Sequence, residues 1–167
     1  MSIRIGCVLL LVVTGCRGAI DQQIDRLTAA GITVKQNSAG DVFRVDTAGV
    51  VLDEHFWESL SNFEQLEQLA LTGSPVTDRD LPQLTSLRTL RSLDLSYTRV
   101  SSSGLSILSR VEDLQTLSLN GVSLDAAAVE PLSQLTRLRS LSLIDSDISA
   151  EDVESVKHAL PRCLVVQ

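Results

Sequence analysis

At 167 residues the chain is long enough for one domain with a single core. Aromatic residues make up only 3% of it, so aliphatic side chains, chiefly leucine, must fill that core. Acidic residues outnumber basic ones 21 to 14, for a net charge of −7, which argues against nucleic-acid binding and against charge-driven adsorption to an anionic bilayer.

The first residues read differently from the rest. Arg4 precedes the uncharged run "CVLLLVV" (Cys7 to Val13), far shorter than the roughly 20 residues of a membrane-spanning helix but right for a signal-peptide core. The run closes on "VTGC" (Val13 to Cys16), which resembles the lipobox of bacterial lipoproteins: an aliphatic residue, two small residues and a cysteine. The resemblance implies a signal peptide over residues 1–15, cleavage before Cys16 and lipidation of Cys16, hence an exported, membrane-anchored protein of the bacterial cell envelope. Several acyl chains anchor firmly where one alone is marginal. An ordinary secretory signal cut nearby is the alternative. Arg17 follows Cys16 where the inner-membrane retention signal would have Asp, so the expected location is the outer membrane or another periplasm-facing position. With Cys7 removed and Cys16 lipidated, Cys163 has no partner, and its setting in "CLVVQ" predicts a buried structural thiol rather than a disulfide.

Residues 16–41 read as the anchor residue and an N-terminal cap. Ile20, Ile24 and Leu27 have helical spacing, and Gly31 is a C-terminal stop. "ITVK" (Ile32 to Lys35) alternates like a strand, "QNSAGD" is a turn, and "VFRV" (Val42 to Val45) begins the first unit of a repeat.

The period is exact in the centre of the chain. Leu66, Leu69 and Leu71 recur as Leu90, Leu93 and Leu95, as Leu114, Leu117 and Leu119, and as Leu138, Leu141 and Leu143, each step being 24 residues. Downstream positions keep phase: Val76, Val100, Leu124 and Ile148; Leu81, Leu105, Val129 and Val153; Leu84, Leu108, Leu132 and Val156. A degenerate period precedes them in Val42, Val45, Val50, Leu52, Trp57, Leu60 and Phe63, which puts Trp57 in a core column and leaves Phe56, beside His55, as the more open case for a recognition patch. The expected organisation is five repeats over residues 42–161 and a closing strand at 162–167.

Asp53, Thr77, Ser101, Asp125 and Ser149 follow the aliphatic position that ends each turn, and all are residue types that cap helix N-termini. Each repeat therefore reads as a strand, a turn and a helical segment. Pro82 and Pro131 remove backbone donors, so their segments should be short or 3₁₀. "LEQLALTGSPVTDRDLPQL" (Leu66 to Leu84) and "LRSLDLSYTRVSSSGLSIL" (Leu90 to Leu108) resemble bacterial leucine-rich repeat proteins. The resemblance implies an α/β solenoid with one short parallel strand and one short helical segment per 24-residue repeat. The commoner consensus has Asn in the turn, where this chain has Val50, Ser74, Thr98, Val122 and Ser146, so the continuous asparagine ladder is missing.

In such a solenoid the residues between the leucines project from the sheet. They are small and polar, with Tyr97 the one large aromatic. The candidate partner-binding residues are Arg91, Asp94, Ser96 and Tyr97, flanked by Glu67, Gln115, Asn120 and Arg139. Tyrosine and arginine are the types that most often dominate binding energy. Asp46 and Asp94 lie two strands apart, about 9–10 Å, near the carboxylate spacing of inverting glycosidases. An open face without a pocket makes solvated aspartates the better reading. His55 and His158 fall at opposite ends of the repeat array with no Cys or His spaced beside them, so no metal site is expected, and no phosphate-cradling glycine loop occurs. The expectation is a non-enzymatic, membrane-anchored module, without cofactor, that binds a protein through its concave strand face. The alternatives are a self-associating envelope component using its C-terminal strand edge or, less favoured, a carbohydrate-binding or glycan-acting protein.

Overall fold

A computed structural model describes residues 6–167, with side chains from Gly18 onward. The expected signal cleavage site and Cys16, the expected lipidation site, lie outside the residues whose side chains are described. No helix among the described residues is long and apolar enough to cross a membrane.

Helix α1 (Gly6–Ala29) stops where Gly31 predicts. Gly31 takes φ +87, its N–H donates to Thr28 O at 3.0 Å, and Ile32 N–H reaches back to Leu27 O at 3.0 Å. These are the two bonds of a Schellman cap, and its customary hydrophobic contact is present in the buried pair Leu27 and Ile32. Strand β1 (Thr33–Gln36) comes next and pairs antiparallel with β2 (Val42–Asp46). Their turn is held by Asn37, whose Oδ1 accepts from the amides of Ala39 and Asp41 at 2.9 and 3.0 Å.

Five further strands, β3 (Gln68–Ala70), β4 (Ser92–Asp94), β5 (Thr116–Ser118), β6 (Ser140–Ser142) and β7 (Leu164–Val166), join β2 in parallel, giving one seven-stranded sheet in sequence order. Gln68, Ser92, Thr116 and Ser140 sit in one register row, and Leu69, Leu93, Leu117 and Leu141 in the next, so the 24-residue period is the strand-to-strand step. Each central leucine is buried between two half-exposed neighbours. A single, mostly aliphatic core runs the length of the array from Leu27 to Leu160.

The outer helical segments differ in winding, and that corrects two core assignments. α2 (Glu54–Ser61) is a true α-helix; there Phe56 is buried at 1% exposure, whereas Trp57 is half-buried with its ring edge-on to Phe56 at 5.1 Å. The reason is periodicity: an α-helix brings Phe56 and Leu60 (i, i+4) onto one face, while a 3₁₀ helix brings i and i+3 together. The segments Leu81–Ser86 and Gly104–Arg110 are 3₁₀, and bury Leu81, Leu84 and Leu87, and Leu105, Leu108 and Val111. The fourth segment starts 3₁₀ at Ala126–Ala128 and continues as the five-residue α3 (Val129–Ser133). Ala128, four residues before Leu132, takes the core place expected of Val129, which is only half-buried. α4 (Ala150–Ala159) closes the series. Pro82 and Pro131 fall in short segments as expected, but Gly104–Arg110 is 3₁₀ without any proline.

Three of the five expected caps form. Asp53, Asp125 and Ser149 accept from the amides of Phe56, Ala127 and Asp152. Thr77 and Ser101 do not cap. The Thr77 amide and hydroxyl both donate to Asp80, and the Ser101 amide and hydroxyl both donate to Asp78 at 2.8 and 2.7 Å. Asp78 thus clasps the following repeat. The close approach suits Gly104, since a Cβ there would push the Asp78 carboxylate aside. Cys163 is likewise half-buried rather than buried, because β7 lies at the edge of the sheet; its partial burial pushes the thiol pKa up.

Candidate binding face

The candidate residues fall in four columns of the repeat, one at the start of the strands and three at and beyond their ends. Glu67, Arg91, Gln115 and Arg139 are joined through their backbones: each amide donates to the carbonyl one repeat earlier, at 2.9 Å for Arg91 and 2.8 Å for Gln115 and Arg139. Arg91 and Arg139 are exposed, while Glu67 and Gln115 are half-buried.

The other candidates lie where the strands end and turn, and there the structure divides them. Ser96 is 2% exposed and is no contact residue. Its amide donates to Asp94 Oδ1 at 2.8 Å, and its Oγ accepts from the Asn120 amide at 3.2 Å. Asn120 Oδ1 in turn accepts from Ser142 Oγ at 2.6 Å and from the Ile144 amide at 3.0 Å. Asp94, Ser96 and Asn120 therefore form a polar ladder across three repeats. It satisfies turn amides that the missing asparagine column would otherwise serve. Thr98 and Ser146 add to it by donating their hydroxyls to the carbonyls of Leu95 and Leu143. Burial is the reason that Ser96 cannot meet a partner, as its place in the column just beyond the paired leucines suggests it should: the chain must bend back toward the helical side, and the residue after Leu95 turns inward with it.

Tyr97 emerges from this turn 57% exposed. The strand exits Gly49, Gly73, Tyr97, Gly121 and Asp145 all have positive φ, from +57 to +81. Glycine fills three of these five places, as the left-handed region requires; tyrosine there is sterically costly. Its amide bonds Asn120 O at 2.7 Å, which ties the conformation to the next repeat. Its ring lies over Gly121, where any side chain would overlap the ring carbons Cδ1 and Cε1. The glycine-rich spacing Gly49, Gly73 and Gly121 was the signal in the sequence for this strained position.

No protein-family model matches this chain, and no curated protein matches its sequence. Solved structures do resemble it. A leucine-rich repeat protein of Leptospira interrogans superposes with a TM-score of 0.52 at 23% identity over 65% of this chain. This chain spans 27% of that protein's length. The second actin-binding site of leiomodin-1 superposes with a TM-score of 0.60 at 16% identity, covering 86% of this chain and 88% of that one.

The fold is of the leucine-rich repeat type. Proteins of this fold are usually non-enzymatic, and no enzyme family was found. Asp46 and Asp94 do share a register row two strands apart, yet each accepts a hydrogen bond from a backbone amide of its own turn, Ala48 at 3.2 Å and Ser96 at 2.8 Å. Asp46 also pairs with Arg44 at 3.6 Å. Among the described residues no group of three His, Cys, Asp or Glu side chains could hold a metal ion. His55 and His158 are exposed on α2 and α4.

Proposed function

We propose that this chain is an exported, lipid-anchored leucine-rich repeat module that binds a protein partner through the concave face centred on Tyr97. The observation that carries the reading is Tyr97 itself: a large aromatic held exposed, at the middle of the array, in a backbone conformation that favours glycine. Strain of this kind persists where it serves a site. Arg91 and Arg139 stand in the row at the opposite end of the same strands, and a sheet whose backbone is already ordered loses little entropy on contact. Leiomodin-1 supports the reading by likeness, since its matching region is an actin-binding site. The anchor rests on the sequence alone, on Arg4, the apolar run and "VTGC" ending at Cys16.

Photo-crosslinking from position 97 in native membranes tests the site, with a probe at Ser106 on the outer side as control. A discrete protein adduct from 97 and none from 106 is expected; the reverse pattern would sink the assignment. Intact-mass analysis tests the anchor. A mature chain beginning at acylated Cys16, abolished by Cys16→Ala, is expected, and an unmodified Cys16 would remove the anchor from the reading.

A further inference from the structure

The last strand breaks the pattern of the face it extends. The register row of Arg44, Gln68, Ser92, Thr116 and Ser140 ends in Leu164, and that of Asp46, Ala70, Asp94, Ser118 and Ser142 ends in Val166. Leu164 is 66% exposed and Val166 39%, and Ile144 beside them is 42% exposed. Among the described residues β7 pairs on one side only, with β6. Leu164 N–H donates to Arg139 O and Val166 O accepts from Leu143 N–H, both toward β6. Strand alternation then points the N–H and C=O of Val165 off the open edge, where such groups are a template for another strand.

The charges around this edge are divided by end. Arg139 and Arg162 stand at the end where β7 begins, and Asp145 and Asp147 at the end where it finishes; all four are exposed. None of the four is in an ion pair among the described residues. A parallel neighbour would set like charges together. An antiparallel neighbour of the same sequence sets the basic end against the acidic end.

We propose that β7 pairs antiparallel with β7 of a second copy about a twofold axis through Val165. Each Val165 then exchanges both of its edge hydrogen bonds with its twin. Leu164 meets Val166 of the second copy as a close, non-hydrogen-bonded pair on the concave side. Arg162 of each chain reaches toward Asp145 of the other. The arrangement is isologous, so it closes at two copies and joins the two sheets edge to edge. With three residues per strand the contact is smaller than a standard interface, so the dimer is weak and concentration-dependent.

Sedimentation equilibrium of the full chain tests this. The mass should rise from one chain to two with concentration. R162E and D145K should each weaken the dimer by about tenfold or more, and the double variant R162E/D145K should restore it to within about threefold. V165P removes the outward N–H, which an edge strand tolerates, and also alters a half-buried side chain; it should abolish the dimer, whereas V165A, which keeps the N–H, should retain it. A chain that stays monomeric throughout, a mass that climbs beyond two copies, or a dimer indifferent to V165P would overturn the proposal.

Discussion

The ring of Tyr97 packs across the backbone of Gly121, one repeat further on, so closely that a side chain at position 121 would displace it. Both residues hold positive φ, +57 and +62, so the pair joins a strained aromatic to the one residue type that can receive it. Ring-current shifts should move the Gly121 Hα resonances upfield, and Tyr97→Leu should return them. Gly121→Ala should cost about 1–2 kcal/mol from its left-handed backbone alone and should expel the ring. Tyr97→Gly relieves strain in place of imposing it. Denaturant unfolding should show stability unchanged or raised by up to about 1 kcal/mol, while partner capture at the face is lost.

The Asp78 clasp predicts a non-additive pair. Asp78→Ala removes the acceptor for the Ser101 amide and hydroxyl and should destabilise by about 1–3 kcal/mol. Gly104→Ala forces the same carboxylate away and should cost a similar amount. The double variant should therefore cost no more than the larger single change, as measured by urea unfolding. Full additivity would mean that the two residues act independently.

Adjacent aromatics on α2 should behave unequally. Phe56→Ala opens a cavity in the core and should cost about 3–5 kcal/mol, whereas Trp57→Ala, at the half-buried margin, should cost less than half of that. Thermal unfolding of the two variants distinguishes this from the assignment by repeat phase alone, which ranks them the other way.

Asp125 provides a pH signature. The Ser102 hydroxyl, followed by the Ala127 amide, holds its carboxyl below the ordinary carboxylate range. A pKa depressed in the folded state contributes stability above the unfolded value and loses it as pH falls through the folded one. Carboxyl titration by NMR should place Asp125 below 3.8, and Ser102→Ala should move it up. The stability difference between the two proteins should shrink below that range.

Much of this architecture was legible without coordinates, because a solenoid writes its contacts as a period. Leu69, Leu93, Leu117 and Leu141 recur at 24 residues, and they are register partners in adjacent strands. Gly31 as a helix stop, the polar face between the leucines, and the exposure of Arg91, Tyr97 and Arg139 were legible for the same reason: each follows from local backbone geometry or strand alternation. The tertiary structure alone decided which of two neighbours faces the core. Phe56 over Trp57, and Ala128 over Val129, depend on whether a segment winds as α or 3₁₀, a difference that packing of the whole repeat settles. It also decided that Ser96 turns inward while Tyr97 is held out, and that Asp78 binds across to Ser101. Those outcomes rest on hydrogen bonds between residues about one period apart, and periodicity brings such residues together without choosing between the partners they could take.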